Sequence, residues 1–339
     1  MDNLRTITID AGYGYIKVFD GQNQVIIPSV ISQSRQIRFK PKTRNMELIN
    51  NLNVKINGDG YFVGQLAINQ GKDPMQVLDK NKVFHSTTKV SMLVGIAMLA
   101  NNGETIKVVT GLPISYYENS QKNELEKILK GKQNVEFDGF LLDKENEAKE
   151  FTVSSVVMLP QPIGSLFNMI LDDAGDIKDE MVNLANGTVA VIDIGYGTTD
   201  FLVMKELDYV DRSSRSISIG IKDIYDDVRE ALQEMSKEEV PLYKIEETRD
   251  SKKISLKGVE YDLFNAYNHA CRVVFSKIKT IIDPLSDREQ TISNYVITGG
   301  GVHLLGDLFK TIYTNVNIIV LDNAQMANVL GYAKYAKNK

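Results

Sequence analysis

The chain has one cysteine and three histidines among its 339 residues. Cys271 alone cannot close an internal disulfide, which excludes a disulfide-stapled secreted fold. His85, His269 and His303 stand far apart without a cysteine or second histidine at ligand spacing, so a structural zinc site lacks its donors and all three read as structural or surface residues. Long apolar runs are missing as well. Val90 to Ala100, the most apolar stretch, is about half of the roughly 20 residues that a membrane span needs. The opening MDNLRTITID is not a basic stretch followed by an apolar run, so a cytoplasmic chain without membrane attachment is expected. Basic charge is in deficit, with 39 Lys and Arg against 44 Asp and Glu. The resulting net charge of −5 disfavours extensive direct contact with nucleic acid, and any DNA role would run through an adaptor.

What is present is an ordinary globular composition, 43% hydrophobic and 24% charged. Single cores stop growing at roughly 250–300 residues, so this length predicts two domains. An internal repeat supports the division. TITIDAGYGYIKVFD (6–20) and VAVIDIGYGTTDFLVM (189–204) each read as a β-branched strand, then Asp-x-Gly-Tyr-Gly, then a second strand. The flanking strands recur with the motif, and each copy begins one half of the chain, as a duplication would.

Apolar β-rich runs lie at Ile106–Thr110, Phe151–Leu159, Val189–Ile194, Tyr295–Thr298 and Val316–Leu321. Helical patterns separate them: Tyr116–Lys130, Ile163–Asp173, a stripe of Ile221, Ile224, Val228, Leu232 and Met235, and a long helix from about Asp262 to Asp283 that should end before Pro284. That helix carries Cys271 on its inward face, as a buried core thiol. The alternation predicts an α/β fold with mixed sheets and helices on their faces. Residues 21–85 and 205–260 break the rhythm and read as inserted smaller subdomains. The basic stretch from Arg35 to Arg44 has only Phe39 as an interleaved aromatic and reads as a solvated loop.

A strand–Asp-x-Gly-x-Gly–strand hairpin suits phosphate. Glycines let backbone N–H groups approach closely and make positive φ accessible, and an aspartate ending the first strand suits Mg²⁺ bound through water. Asp10 and Asp193 are those carboxylates. Lys17 on the exit strand of the first copy can reach back as a point charge, and Thr198 and Thr199 of the second add hydroxyls. One hairpin alone could be a plain β-turn; two copies tip the balance towards a pair that holds one polyphosphate. A strand rather than a helix follows the glycines, and no Gly-Lys-Ser/Thr does, so neither a Rossmann nor a Walker motif is present. TGGGVHLLGDLF (298–309) is a third glycine element, a strand running into Gly299–Gly301 and a helix, which suits an adenosine or α-phosphate.

In this order the elements resemble the actin, sugar-kinase and DnaK-type chaperone superfamily, with the hairpins as its phosphate-1 and phosphate-2 motifs and Gly299–Gly301 as its adenosine motif. GLPISYYENSQKNELEKIL (111–129), FTVSSVVMLPQPIGSLFN (151–168) and SISIGIKDIYDDVREAL (216–232) are most similar to bacterial actin-like plasmid-segregation proteins of the ParM type. The resemblance implies two duplicated RNase H-like domains with nucleotide in the cleft between them, over about 1–160 completed by a helix at 324–339, and 161–323. It implies an ATPase, with GTP as a second nucleotide, that polymerises when nucleotide is bound and moves plasmid DNA through a ParR-like adaptor.

By the same resemblance Asp10 and Asp193 serve Mg²⁺. Gly12, Tyr13, Gly14, Lys17, Gly195, Tyr196, Gly197, Thr198, Thr199, Gly299, Gly300 and Gly301 bind nucleotide, with Asp200 as a further candidate. Many ParM-type proteins carry a glutamate in the connecting segment where this chain has Gln161. Glutamine takes no proton at neutral pH, so it would orient water while phosphate or Asp193 accepts the proton, and slow hydrolysis is expected. Pro160 and Pro162 restrict the backbone on either side of it; equally, LPQP could be a plain strand-to-helix connector.

Two other classes fit the superfamily. A sugar or acetate kinase needs a substrate pocket with a carboxylate base, and no extra acidic motif follows the first hairpin. A scaffold like MreB or FtsA usually carries a membrane-attaching segment, whereas Met326, Val329, Leu330 and Ala333 suit packing on the body.

Overall fold

The structure, a computed structural model, describes residues 4–38, 47–76, 86–117, 119–140, 145–289 and 291–337. His85, Phe39 and the basic residues from Lys40 to Arg44 lie outside the described residues. Two compact units divide the chain, Met1–Asp179 with Met326–Lys339, and Glu180–Gln325.

In the first unit the elements run β1 (Arg5–Ala11), β2 (Tyr15–Phe19), β3 (Gln24–Pro28), β4 (Val30–Gln33), β5 (Leu52–Ile56), β6 (Asp59–Val63), α1 (Gln65–Gln70), β7 (Met75–Gln76), α2 (Ser86–Leu99), β8 (Glu104–Leu112), α3 (Asn119–Leu129), β9 (Gly131–Phe137), β10 (Glu147–Pro160) and α4 (Ile163–Ile170). Their strands form one sheet in the order β3-β2-β1-β8-β10-β9-β5-β6-β4-β7. β1, β8 and β10 are parallel, and β1 pairs with β2 as an antiparallel hairpin. The region 21–85 was expected as a subdomain above the core. It is instead joined edge to edge to the core sheet, because β10 pairs with β8 along its second half and with β9 along its first. A small core of its own, Val30, Phe62, Leu66 and Ala67, lies at that end.

The second unit holds α5 (Val182–Ala185), β11 (Thr188–Ile194), β12 (Thr199–Lys205), β13 (Asp208–Tyr209), β14 (Arg215–Ile217), α6 (Ile221–Ser236), α7 (Leu242–Glu247), β15 (Lys253–Leu256), β16 (Val259–Asp262), α8 (Phe264–Arg288), β17 (Ile292–Thr298), α9 (Val302–Ile312) and β18 (Asn317–Val320). Its main sheet runs β13-β12-β11-β17-β18, with β14 also on β12. β11 and β12 form the antiparallel hairpin, and β17 and β18 continue in parallel. This repeats the β2-β1-β8-β10 arrangement of the first unit, so the sequence repeat is a repeat of topology. All seven residues of β11, TVAVIDI, are buried, as a strand covered on both faces requires.

α8 runs through Pro284 to Arg288, where the sequence predicted an end at Asp283. Proline removes one N–H from the helix, yet Ile282 and Leu285 on either side are both buried, and this packing carries the helix past it. On α6, Ile221, Ile224, Tyr225, Val228 and Leu232 face inward, but Met235, expected on the same stripe, is exposed at the last turn.

The chain then returns to the first unit as α10 (Ala327–Lys337). Gly331 packs so closely on α4 that a Cβ there would stand 1.7 Å from the Gly164 carbonyl oxygen. Asn328 Oδ1 accepts hydrogen bonds from Ser165 N–H and Oγ–H, and Lys334 Nζ donates to the Asn168 and Leu171 carbonyls. These contacts keep Gln161 and α4 in the first unit, so the division falls after Asp179 rather than after 160.

Candidate functional site

In the first unit, β1 delivers Asp10 to the turn with its side chain fully buried. Asp10 stands opposite Lys17 in the β1–β2 register, and opposed residues of an antiparallel pair share a face. Lys17 Nζ accordingly lies 2.9 Å from Asp10 Oδ2. The other oxygen, Oδ1, accepts a hydrogen bond from the Gln161 side-chain amide Nε2. Anchoring Nε2 leaves Oε1 of Gln161 as an acceptor suited to a water O–H.

The turn itself is closed by Gly12 N–H donating to the Tyr15 carbonyl at 3.1 Å. A Cβ on Gly12 would stand 3.0 Å from that oxygen and 3.7 Å from Lys17 Nζ, so the ammonium lies across the turn. Ser29, which the sequence did not single out, ties the turn back: its Oγ–H donates to the Gly12 carbonyl at 2.6 Å and its N–H to the Gly14 carbonyl at 2.8 Å. These bonds occupy the Gly12 and Gly14 carbonyls, and the Lys17 ammonium beside them is paired with Asp10.

The second unit repeats this construction. Gly195 N–H donates to the Thr198 carbonyl at 2.8 Å, and a Cβ on Gly195 would again meet that oxygen at 3.0 Å. The turn carbonyls are held here by α6: Ile221 N–H donates to Gly195 O at 3.1 Å and Lys222 N–H to Tyr196 O at 2.8 Å. Gly220 permits this contact, since a Cβ there would come within 2.6 Å of the Tyr196 oxygen. Gly220 was not predicted, and only its place just before an amphipathic helix signals it.

The Gly299–Gly301 turn is joined to the same hairpin. Gly299 has φ +86, and a Cβ on it would stand 2.3 Å from Asp193 Oδ1. Gly301 N–H donates to the Ile194 carbonyl at 2.9 Å, and its own Cβ would collide with Ile194. Gly300 has only Ile221 Cδ1 at 3.5 Å. Two of the three glycines are thus required by contact with β11, and the third is left on the open side.

Two expectations change. Gly12, Gly14, Gly195 and Gly197 were read partly for positive φ, but none of the four adopts it; of the motif glycines only Gly299 does. Space against the opposite carbonyl, rather than φ, selects glycine at Gly12 and Gly195. Thr199 was expected to offer its hydroxyl; it is fully buried, and Oγ1 donates to the Ile219 carbonyl at 2.8 Å. Thr198 is then the threonine whose hydroxyl stays on the turn. Tyr13, Tyr196 and Gly197 lie in the turns, where the sequence placed them.

Register also explains how a cation would be held. Asp193 stands opposite Asp200, at the place where Asp10 faces Lys17. Both carboxylates are buried, 7% and 4% exposed, and paired negative charge on one face suits a divalent cation. Among the described residues no group of three or more His, Cys, Asp and Glu assembles a full ligand set. Such a donor set fits Mg²⁺, a hard cation that keeps most of its waters, and does not fit zinc. His269 and His303 are exposed on helices, and burial pushes the Cys271 thiol up to about 11. No described helix is long and apolar enough to cross a membrane.

Comparison with known proteins agrees with this fold. Residues 8–164 match the family model of the N-terminal domain of actin-like proteins, and residues 191–311 match that of the C-terminal part of the archaeal MreB-like actin homologues. Among solved structures, a non-polymerisable quadruple mutant of pCBH ParM and a 15-stranded ParM filament from Clostridium botulinum are each 26% identical. Each superposes with a TM-score of 0.81 over 99% of this chain and 100% of the other. An ADP complex of the archaeal actin homologue Ta0583 is 17% identical, with a TM-score of 0.73, over 99% of this chain and 100% of the other. No curated protein matches the sequence.

Proposed function

We propose that this chain, which has the actin-like fold, is an ATPase, with GTP as a second substrate, that polymerises in its nucleotide-bound form. The observation that carries this reading is the pair of glycine hairpins of identical register, each with a buried aspartate at the same place. Each hairpin presents backbone N–H groups to phosphate oxygens of the bound nucleotide. Lys17 adds a point charge in the first unit, and the Gly299–Gly301 turn receives the adenosine side in the second. Mg²⁺, when bound, neutralises phosphate charge near Asp193 and Asp10. Gln161, anchored through Nε2 on Asp10, orients the attacking water through Oε1 and takes no proton itself, which makes turnover slow.

Nucleotide drives assembly by binding the polymerising conformation more tightly than the other. The 26% identity to two ParM structures, one of them a filament, supports assembly. The role that goes with the ParM-type resemblance of the sequence is to move plasmid DNA in the cytoplasm. With a net charge of −5, the chain would reach that DNA through a DNA-bound, ParR-like basic adaptor.

Light scattering and pelleting with Mg²⁺-ATP, Mg²⁺-GTP or Mg²⁺-ADP, beside Asp193→Ala, test the reading. Assembly with triphosphate and its loss in Asp193→Ala are expected. An absence of nucleotide-dependent assembly would overturn the filament reading, and turnover stimulated by a sugar would replace it with a kinase. The purified chain alone should not retain duplex DNA at about 0.15 M salt, where surface charge is screened beyond about 8 Å; retention would overturn the adaptor step.

A further inference from the structure

Tyr332 of α10 is 171 residues from Gln161 in sequence, yet its hydroxyl donates to the Gln161 backbone carbonyl at 2.9 Å. The side chain is fully buried. Two glycines are shaped around it: a Cβ on Gly111 would stand 1.9 Å from the Tyr332 hydroxyl oxygen, and one on Gly164 2.5 Å from ring atom Cε1. The ring therefore fills the space between the end of β8, residue 161 and the start of α4.

Gln161 makes four hydrogen bonds. Its N–H donates to the Leu112 carbonyl at 2.8 Å, its side-chain amide donates to Asp10, and its carbonyl accepts the Tyr332 hydroxyl at 2.9 Å and the Gly164 N–H at 3.3 Å. The first two fix the backbone on one side and the amide end. Without the Tyr332 hydroxyl, the carbonyl keeps only the longer bond from the first turn of α4, and the peptide between Gln161 and Pro162 is held less closely.

We propose that Tyr332 is a positioning residue for hydrolysis, holding the Gln161 backbone so that the Asp10-anchored amide aims Oε1 at the attacking water. This rests on the hydrolase reading above. Tyr332 would touch neither nucleotide nor water and would act through Gln161 alone. Misplacement of a water-orienting group lowers the rate of the chemical step while leaving ground-state binding intact. The effect would therefore fall on kcat and not on KM.

The test compares single-turnover and steady-state Mg²⁺-ATP hydrolysis in the unaltered chain, Tyr332→Phe, Gln161→Ala and the double variant. Tyr332→Phe keeps the ring and removes one hydrogen bond, and should lower kcat about three- to ten-fold with KM unchanged within about two-fold. The double variant should be no slower than Gln161→Ala alone, because residues that act through one group are not additive.

Lys334→Gln is the control. It weakens the seat of α10 on α4 without touching Gln161, and should lower the thermal midpoint while leaving kcat in place. Should Tyr332→Phe be too unstable for kinetics, the Gln161 side-chain amide resonance of the ¹⁵N-glutamine-labelled variant, recorded at low temperature where it is folded, reports the same coupling by shifting. An unchanged kcat in a well-folded Tyr332→Phe, an unshifted amide, or an equal kcat loss in Lys334→Gln would overturn the proposal. No turnover by the unaltered chain would overturn both this proposal and the hydrolase reading, whereas turnover insensitive to Tyr332→Phe would overturn this proposal alone.

Discussion

Asp193 and Asp200 face each other across the β11–β12 ladder, both buried, where the equivalent pair in the first unit is Asp10 and Lys17. One change of sign at one register position separates the two copies. In the first hairpin the carboxylate meets an ammonium; in the second, two carboxylates share the face, which suits a divalent cation. Asp200→Asn leaves one carboxylate on that face instead of two, and should weaken the further stabilisation of the protein by Mg²⁺-ADP. Thermal shift with and without Mg²⁺ checks this, and an unchanged Mg²⁺-dependent gain would contradict the argument.

Gly299 and Gly300 are neighbours with opposite tolerance. Gly299→Ala puts a methyl at positive φ against the Asp193 carboxylate, and should cost about 1–3 kcal/mol and most of the nucleotide affinity. Gly300→Ala meets only ordinary contact and should stay within about 1 kcal/mol of the parent. Chemical denaturation and fluorescent-nucleotide titration separate the pair; equal effects would refute the packing account.

Lys17→Met leaves Asp10 buried without its ammonium partner, and loss of one member of a buried ion pair costs about 3–5 kcal/mol. Replacing both, Lys17→Met with Asp10→Asn, should recover much of that stability while nucleotide binding stays lost. If the double variant is less stable than Lys17→Met alone, the ion pair is not what holds this hairpin.

Alkaline stability should depend on α8. Burial pushes Cys271 up to about 11 and Tyr267 up to about 12, with the Lys252 ammonium beside Cys271 opposing the thiol shift. The unfolded thiol releases its proton from about pH 8.5, whereas the folded one keeps it until about 11. The unfolded state therefore binds fewer protons in that window, and stability falls as pH rises through it. Cys271→Ala should flatten the slope of midpoint against pH between about 8 and 9, where Tyr267 is still largely protonated in both states. An unchanged slope would place the alkaline sensitivity elsewhere.

Much of this was legible in the sequence because it is local. The hairpins show themselves by β-branched strands around Asp-x-Gly-Tyr-Gly, and the strand register then fixes Asp10 against Lys17 without further information. Features set by tertiary contact were not legible. Pro284 signals a helix end, and only the burial of Ile282 and Leu285 overrides it. The glycine at 12 was read for backbone freedom, but its cause is the Tyr15 carbonyl opposite. Thr199 looked like a donor until the Ile219 carbonyl took its hydroxyl. Tyr332 gave no signal at all, since its partners at 111, 161 and 164 meet it only through folding. The boundary after 160 failed for the same reason: α4 belongs with a helix that the sequence places far away.

That helix also sets an order of events. The ribosome makes the Asp10 hairpin and Gln161 first, then the entire second unit, and only afterwards the segment from Met326 that closes the first. A growing chain therefore has its second unit finished while the Gln161 carbonyl still awaits the Tyr332 hydroxyl.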